Sequence, residues 1–459
     1  MEIENLYALY RQHPEVCTDT RQIRKDALFF CLKGENFDGN TFAAAALEQG
    51  AAYVVVDNPQ YVLDARCLLV EDVLQTLQQL AHFHRRQLDI PVIGVTGTNG
   101  KTTTKELLTA VLSRKYRVAS TQGNLNNHIG VPLTLLSIRP DAEIAVVEMG
   151  ANHPGEIAAL CQLVEPDFGL ITNIGKAHLE GFGTYEEIIR TKTALYRSVA
   201  SRRGLLFVHA DDELLMRQAG ELATIPDIPT LNPWYLDHGF GPDWQTGSRS
   251  ITMYTYGSTE DANCRGRLHA AGLYLSFDLL ADESAHRVDT RLVGQYNFDN
   301  AMAACAVGRF FGVEDADIVA ALQDYTPSNS RSQILEKGPL RIVMDAYNAN
   351  PSSMEHALRN FARIAAERKI LVLGDMRELG ADSVGEHQKI VDLMEDEHFT
   401  DVFLLGDEFG KTDAPENWKF KDMESLKQAL RAVLNGQPAF LLVKGSRGMR
   451  MERVLELFA

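Results

Sequence analysis

Positive charge is in short supply in this chain: 45 Lys and Arg face 62 Asp and Glu, for a formal net charge of −17. A nucleic-acid binder needs a basic face, so that class is disfavoured. Any phosphate ligand must then be held by a few local cations and a metal. Cysteine is sparse as well. Six residues (17, 31, 67, 161, 264 and 305) are scattered without CxxC spacing, the pattern of reduced thiols packed as small apolar side chains. No uncharged apolar run reaches the ~18 residues of a membrane helix. Met1 leads into the acidic Glu2-Ile-Glu-Asn, so no secretory signal is expected and the protein is read as cytoplasmic. The glycine fingerprint of dinucleotide binding is missing too, which weighs against a dehydrogenase. At 459 residues, 45% hydrophobic and 23% charged, the chain is too long for one core and its length suggests about three domains.

Against these absences one stretch stands out, residues 91–105, Pro-Val-Ile-Gly-Val-Thr-Gly-Thr-Asn-Gly-Lys-Thr-Thr-Thr-Lys. Val92, Ile93 and Val95 read as a buried parallel strand. Gly97, Thr98, Asn99 and Gly100 can supply the dihedrals of a tight loop. Residues 101–114 read as a helix with Leu107, Leu108, Val111 and Leu112 on one side. Strand, glycine loop and helix start make a phosphate cradle. Backbone N–H groups and the helix dipole face the anion, Lys101 adds a point charge, and the Thr102 hydroxyl can bind a metal. The general P-loop pattern wants glycine five residues before Gly100, and Val95 stands there.

In the N-terminal segment, to about residue 88, residues 28–32 and 52–56 look like strands, with an alanine-rich helix over 41–49 between them. A further strand is expected over 65–70 and a helix over 73–87. Polar turns containing Thr20, Arg21, Lys33, Gly34 and Asp38 are either solvated loops or a ligand-holding module. After the phosphate loop, Asn124, Asn126 and Asn127 crowd a glycine-bounded loop that tolerates left-handed backbone. Strands over 144–148 and 168–174 end near Glu148 and His178. Ligands of open α/β sheets bind at the carboxyl ends of strands, so both side chains are expected to converge on the metal that Thr102 would hold. A helix over 185–200 carries Lys192, by composition an ordinary solvated lysine. Residues 225–290 suggest an antiparallel insertion, and an alanine-rich helix follows to 311, with Asn297 and Asn300 placed to cap it or to touch a base.

From about 326 strand and helix alternate regularly, which predicts a second doubly wound parallel sheet. Its strand ends carry Asp345-Ala-Tyr-Asn-Ala-Asn, Gly374-Asp-Met-Arg-Glu and Lys444-Gly-Ser-Arg-Gly, where ligands belong.

With Thr-Gly-Thr-Asn-Gly-Lys-Thr-Thr at 96–103, Glu148, His178, the Asn297/Asn300 pair, Arg331 and the 345–350 segment in this order, the chain resembles the Mur ligases. These are the ATP-dependent amide-forming enzymes of peptidoglycan synthesis. Within the family, the segments 18–21, 32–39, 126–132, 148–151, 346–351, 373–380 with His387, and 443–447 are most similar to those of the member adding D-alanyl-D-alanine to UDP-N-acetylmuramoyl-tripeptide. Asn40 departs from a common histidine, and His209 from a common asparagine.

The resemblance implies an α/β protein of three domains: a small UDP-binding module (1–88), a central P-loop ATPase (89–325) and a Rossmann-like domain (326–459) that takes the dipeptide. It implies ATP and Mg²⁺ as cofactors, an acyl-phosphate intermediate, the tripeptide and dipeptide substrates as partners, and a monomer. Residues 97–103, Thr103 included, would hold ATP, with Lys101 on the β/γ-phosphates. Thr102 and Glu148 would hold one Mg²⁺ and His178 a second. Lys192 falls where many members carry a carbamylated lysine, an anion able to bind metal. Asn297, Asn300 and Arg331 would meet the nucleotide, with Asp345 at the interdomain face. Thr20, Arg21, Lys33, Gly34 and Asp38 would serve the UDP substrate, and Asn124, Asn126 and Asn127 would also contact substrate. Tyr347, Asn348, Asn350, Asp375, Arg377 and Lys444 would face the dipeptide. Hinges near 90 and 326 are expected to move. A folylpolyglutamate synthetase is the nearest rival, but it lacks a UDP module such as residues 18–40. A non-catalytic nucleotide-binding regulator would lose the metal residues.

Overall fold

The computed structural model describes residues 1–223, 252–269, 272–281, 284–327 and 331–458. Three parallel-rich sheets follow one another along the chain. The first is all-parallel, in the order β1-β2-β5-β6. Here β1 is Val16–Cys17 and β2 is Leu28–Phe30; a hairpin of β3 (Lys33–Gly34) and β4 (Phe37–Asp38) stands outside the sheet; β5 is Tyr53–Val56 and β6 is Cys67–Leu69.

The second sheet has nine strands: β7 (Val92–Thr96), β8 (Val118–Ser120), β9 (Ile144–Glu148), β10 (Phe168–Ile171), β11 (Leu205–His209), β12 (Thr252–Gly257), β13 (Cys264–Leu268), β14 (Tyr274–Leu280) and β15 (Ala285–Val293). Their order is β15-β14-β13-β12-β11-β10-β7-β9-β8. The sheet is parallel from β8 across to β13, then antiparallel through β14 and β15. The expected antiparallel insertion is thus an extension of the main sheet, and its part within 224–251 lies outside the described residues. Every residue of β7 is buried. Val92, Ile93 and Val95 have no solvent exposure, each contributing about 1.5–3 kcal/mol of apolar burial. From β7 the chain crosses to β8 on one side; from β9 it crosses back over β7 to β10. The loop after β7 therefore sits where the winding reverses, the place such sheets leave open for a ligand.

The third sheet comprises β16 (Gln333–Lys337), β17 (Leu340–Asp345), β18 (Lys369–Gly374), β19 (Asp401–Leu405), β20 (Lys419–Phe420) and β21 (Ala439–Lys444), in the order β16-β17-β21-β18-β19-β20. It is parallel except for β16, an antiparallel edge strand that sequence periodicity did not distinguish because no residue in it is fully buried. The helix expected over 185–200 is broken into Tyr185–Lys192 and Ala194–Ser201. At the break the Thr193 hydroxyl donates back to the Ile189 carbonyl at 2.8 Å, a competing bond typical of threonine.

One expectation fails. A moving hinge near residue 90 would need a separable core on either side, but a single buried cluster runs from Leu6, Phe30, Val55 and Leu77 into Leu135, Val147, Ile171 and Val208. Arg85, buried before β7, donates to the Val164 and Glu165 carbonyls and to Asp167. One buried apolar cluster therefore spans the first two sheets. The third lobe meets the second both through Val293 and Leu273, which pack into its apolar cluster, and through polar contacts at the phosphate loop. Among the described residues no helix is long and apolar enough to cross a membrane.

Candidate functional site

The loop after β7 takes its shape from two glycines. Gly97 has φ +145° and Gly100 φ +78°. A methyl group on the first would sit 2.0 Å from the Thr172 hydroxyl, and on the second 2.5 Å from Asn300 Oδ1. Gly100 caps the helix Lys101–Leu112, whose first N–H groups point out of the loop without helical partners. Val95 no longer looks anomalous. It lies inside β7, paired with Glu148, because the strand runs on to Thr96 and the cradle needs only residues 97–100. Thr98 and Asn99 stitch the loop to the end of β10: Thr98 donates its hydroxyl to the Gly175 carbonyl at 3.1 Å and its N–H to the Asn173 carbonyl at 2.9 Å, while the Asn99 N–H donates to Asn173 Oδ1 at 3.0 Å. Lys101 is half-buried and folds back to donate to the Gly97 and Thr98 carbonyls, both at 2.8 Å. Burial pushes its pKa down to about 8, opposed by the nearby Glu148 carboxylate. Thr103 is half-buried beside it.

Thr102 and Glu148 come together as expected from strand order: the Thr102 hydroxyl donates to Glu148 Oε2 at 2.8 Å. The other carboxylate oxygen accepts from Asn126 Nδ2 at 2.7 Å. Glu148 has no exposure, and among the described residues Thr102 and Asn126 are the side chains that donate to its carboxylate. Among the described residues no three His, Cys, Asp or Glu side chains are clustered to hold a metal. A hydroxyl and a carboxylate beside a phosphate cradle are instead the partial oxygen set that magnesium completes with phosphate and water, so these two residues fit that ion.

His178 is engaged elsewhere. It adopts left-handed backbone (φ +50°) and its Nδ1 meets Glu378 of the third lobe; the His178 side chain in turn helps to hold the Glu378 pKa down. Lys192 is buried, with its ammonium nitrogen 3.4 Å from the Ala151 carbonyl and over the Phe182 ring. Burial first and the Lys101 charge second push its pKa well below the ordinary lysine range. The solvated-lysine expectation from composition is overturned.

Asn297 and Asn300 do not cap their helix, Phe298–Phe310, with a side chain. Asn297 donates to the Val293 carbonyl at 2.8 Å, Asn300 donates to Asn297 Oδ1 at 2.9 Å, and Thr104 donates to Asn300 Oδ1 at 3.0 Å. This chain of amides props Gly100 from below. Beside it opens a cavity of about 530 Å³ lined by Thr172, Asn173, His209, Asp211, Arg217 and Asp299, among others. His209 stacks on Tyr256 with ring centroids 5.4 Å apart, and its Nε2 lies 3.5 Å from both Asp211 and Asp299.

The third lobe meets the loop directly. Asn350 Nδ2 donates to Asn99 Oδ1 and Asn99 Nδ2 donates to the Ser352 hydroxyl, both at 2.8 Å. Asn350 also caps the helix Pro351–Arg363. The buried Lys444 pairs with the half-buried Asp345 at 2.5 Å and reaches the Asn348 carbonyl at 3.3 Å. Arg331 lies on the Tyr347 ring, 3.8 Å from its centroid. Arg377 and Asn348 are exposed. Asp375 is not free for a substrate: its two oxygens accept the Glu408 and Phe409 N–H groups, each at 3.0 Å. Behind it, His387 has no exposure. Its Nε2 accepts the Met376 N–H at 3.0 Å, so Nδ1 carries the proton donated to the Ser383 carbonyl at 2.7 Å.

At the first sheet, Thr20 is half-buried, and the exposed Arg21 pairs with Asp19 at 2.7 Å. Lys33 pairs with Asp57 at 2.8 Å. Asn40, with no exposure, donates to both Asp38 and Asp57 at 2.7 Å, so the residue departing from the family pattern ties Lys33 and Asp38 into one network. Gly34 lies under the Phe37 ring. Asn124 is exposed. Asn127 Oδ1 accepts the Ile129 and Gly130 N–H groups at 3.1 and 2.9 Å, a local capping role. Sequence reading assigned no role to Asn40, Asp211 or Asp299, and it placed Glu378 only within a dipeptide-facing segment, not against His178. The position of Ala-Asp-Asp at the carboxyl end of β11 was the available signal for Asp211; Asp299 and Glu378 reach their partners only through folding.

Family models match in chain order: Mur ligase family, catalytic domain over residues 15–89; Mur ligase middle domain over 95–225; and Mur ligase, glutamate ligase domain over 330–447. The chain belongs to the Mur ligase family. The UDP-N-acetylmuramoyl-tripeptide--D-alanyl-D-alanine ligase of Bacillus subtilis is 34% identical over 96% of this chain and 92% of its own length. The crystal structure of MurF from Acinetobacter baumannii superposes with TM-score 0.80 at 29% identity, over 96% of this chain and 92% of that one. MurF ligase from Thermotoga maritima in complex with ADP gives 0.77 at 28%, over 97% and 96%.

Proposed function

We propose that this chain is the ATP- and magnesium-dependent ligase that joins D-alanyl-D-alanine to UDP-N-acetylmuramoyl-tripeptide, in the cytoplasm where nucleotide and reduced thiols coexist. The observation that carries the reading is likeness along the whole chain, first sheet included, to a relative named for that reaction. A folate ligase is disfavoured by the first sheet and its Lys33–Asp57–Asn40–Asp38 network.

A carboxylate is a poor acyl donor, and phosphorylation by ATP gives it a leaving group. The dipeptide amine then attacks the acyl phosphate, and phosphate departs from the tetrahedral adduct. Positioning and charge neutralisation supply most of the rate. Backbone N–H groups at the helix start, residues 100–103, would receive the polyphosphate, with the nucleoside toward the cavity behind Asn173. Lys101 would exchange the Gly97 and Thr98 carbonyls for β/γ-phosphate oxygens. Magnesium, held through Thr102 and Glu148, would neutralise charge on those phosphates. Lys192, buried and with its pKa driven well below the ordinary lysine range, is chemically disposed to carbamylation. Asn99, bonded to both Asn350 and Ser352, would report loop occupancy to the third lobe, and motion is assigned to the connection near 326.

Replacing Lys101 by Ala removes two loop contacts and no core packing, so thermal stability should stay near wild type. Ligation measured by coupled phosphate release should fall at least ~100-fold. Undiminished product formation would overturn the mechanism, and turnover of folate with glutamate instead of the two wall precursors would overturn the substrate assignment.

A further inference from the structure

Arg331 and Tyr347 flank the open end of the antiparallel hairpin of β16 and β17, where Gln333 pairs with Met344, and they are stacked. The guanidinium carbon lies 3.8 Å from the Tyr347 ring centroid, and Arg447, after β21, places a second guanidinium 5.9 Å from the same centroid. Arg331 Nε is buried without a hydrogen-bond partner. Among the described residues no carboxylate forms an ion pair with Arg331. Its positive charge is close enough to Lys101 to help lower that lysine's pKa. The nearest strand-end acid, Asp345, is already paired with Lys444.

A guanidinium stacked on a ring uses its face and leaves its in-plane N–H donors free for oxyanions. We propose that Tyr347 is a positioning residue for the nucleotide: its ring fixes the plane of Arg331, so that this guanidinium, which has no carboxylate partner among the described residues, faces the phosphate chain held by Lys101, while Arg447 is already paired with Glu452 at 3.6 Å. This rests on the nucleotide reading above, and it replaces the dipeptide contact that the resemblance implied for Tyr347. The phenol hydroxyl has no part in it; the ring does.

The test uses the full-length enzyme, with ADP and magnesium titrated calorimetrically and steady-state ligation measured in parallel. Tyr347→Phe keeps the ring and should stay within about twofold of wild type in every parameter. Tyr347→Leu should weaken ADP binding and raise KM for ATP by roughly 3- to 30-fold, the range of a cation–π contact, with KM for D-alanyl-D-alanine unchanged. Arg331→Lys, which disturbs no core, should give the same rise and should not add to Tyr347→Leu in the double variant. It serves alone if the leucine variant does not fold. A leucine variant that raises only the dipeptide KM, or additive effects of the two changes, would overturn the proposal. Wild-type enzyme that fails to bind ADP would overturn the nucleotide reading with it.

Discussion

Replacing Glu148 by Gln separates charge from packing. The carboxylate is unexposed and accepts from Thr102 at 2.8 Å and Asn126 at 2.7 Å. A glutamine of the same shape can keep both bonds: its oxygen accepts from Asn126, and its amide donates to a Thr102 hydroxyl that reverses its role. A satisfied pair of neutral bonds differs from the charged pair by about 1–2 kcal/mol, and losing a buried charge offsets part of that. Stability measured by urea unfolding should therefore change by no more than about 1 kcal/mol in either direction. Function should change far more. The neutral amide is a poor magnesium ligand, and loss of one such electrostatic contact costs about 100- to 1,000-fold in turnover. The half-saturating magnesium concentration should rise as well. A second readout follows from Lys101. Glu148 holds that ammonium's pKa up against burial, so removing the carboxylate lets it fall further below about 8. The alkaline limb of the pH–rate profile should then move to lower pH. Wild-type activity with an unshifted magnesium requirement would refute the assignment of Glu148, and a loss of several kcal/mol in stability would refute the packing argument.

Gly100→Ala should lose about 1–3 kcal/mol of stability, because φ +78° and a methyl 2.5 Å from Asn300 Oδ1 are both unfavourable; calorimetry alongside ADP titration reads both stability and loop integrity. His387→Leu leaves the buried Met376 N–H unpaired, a cost of about 1–3 kcal/mol, read by chemical denaturation. Burial lowers the His387 pKa, so the unfolded chain takes up that proton first as pH falls below about 6.5. Its contribution to stability is present above that pH and lost below it, and the leucine variant should lack this slope. Since one core joins the first two sheets, calorimetry should show them unfolding in a single transition; a separate early transition for residues 1–88 would contradict that core.

The local grammar of this chain was legible before folding. A β-branched run before Gly-Thr-Asn-Gly-Lys-Thr dictates strand, loop and helix, because each step depends on neighbours in sequence, and the strand-helix alternation after 326 dictates a parallel sheet. Glu148 was readable as a strand-end acid, and its meeting with Thr102 follows from adjacent parallel strands. Other facts depend on which distant side chains share space. Composition makes Lys192 a solvated helix lysine, yet packing buries it beside Lys101. Asn297 and Asn300 look like caps, yet they brace Gly100. Asp375 sits at a ligand-binding strand end, yet two backbone amides claim it. The expected hinge near 90 is closed by apolar contacts between segments some 50 to 200 residues apart. Strand and turn signals arise from dihedral preference and burial period, which sequence carries; burial of a charge, orientation of a guanidinium and continuity of a core arise from long-range packing, which only the assembled structure fixes.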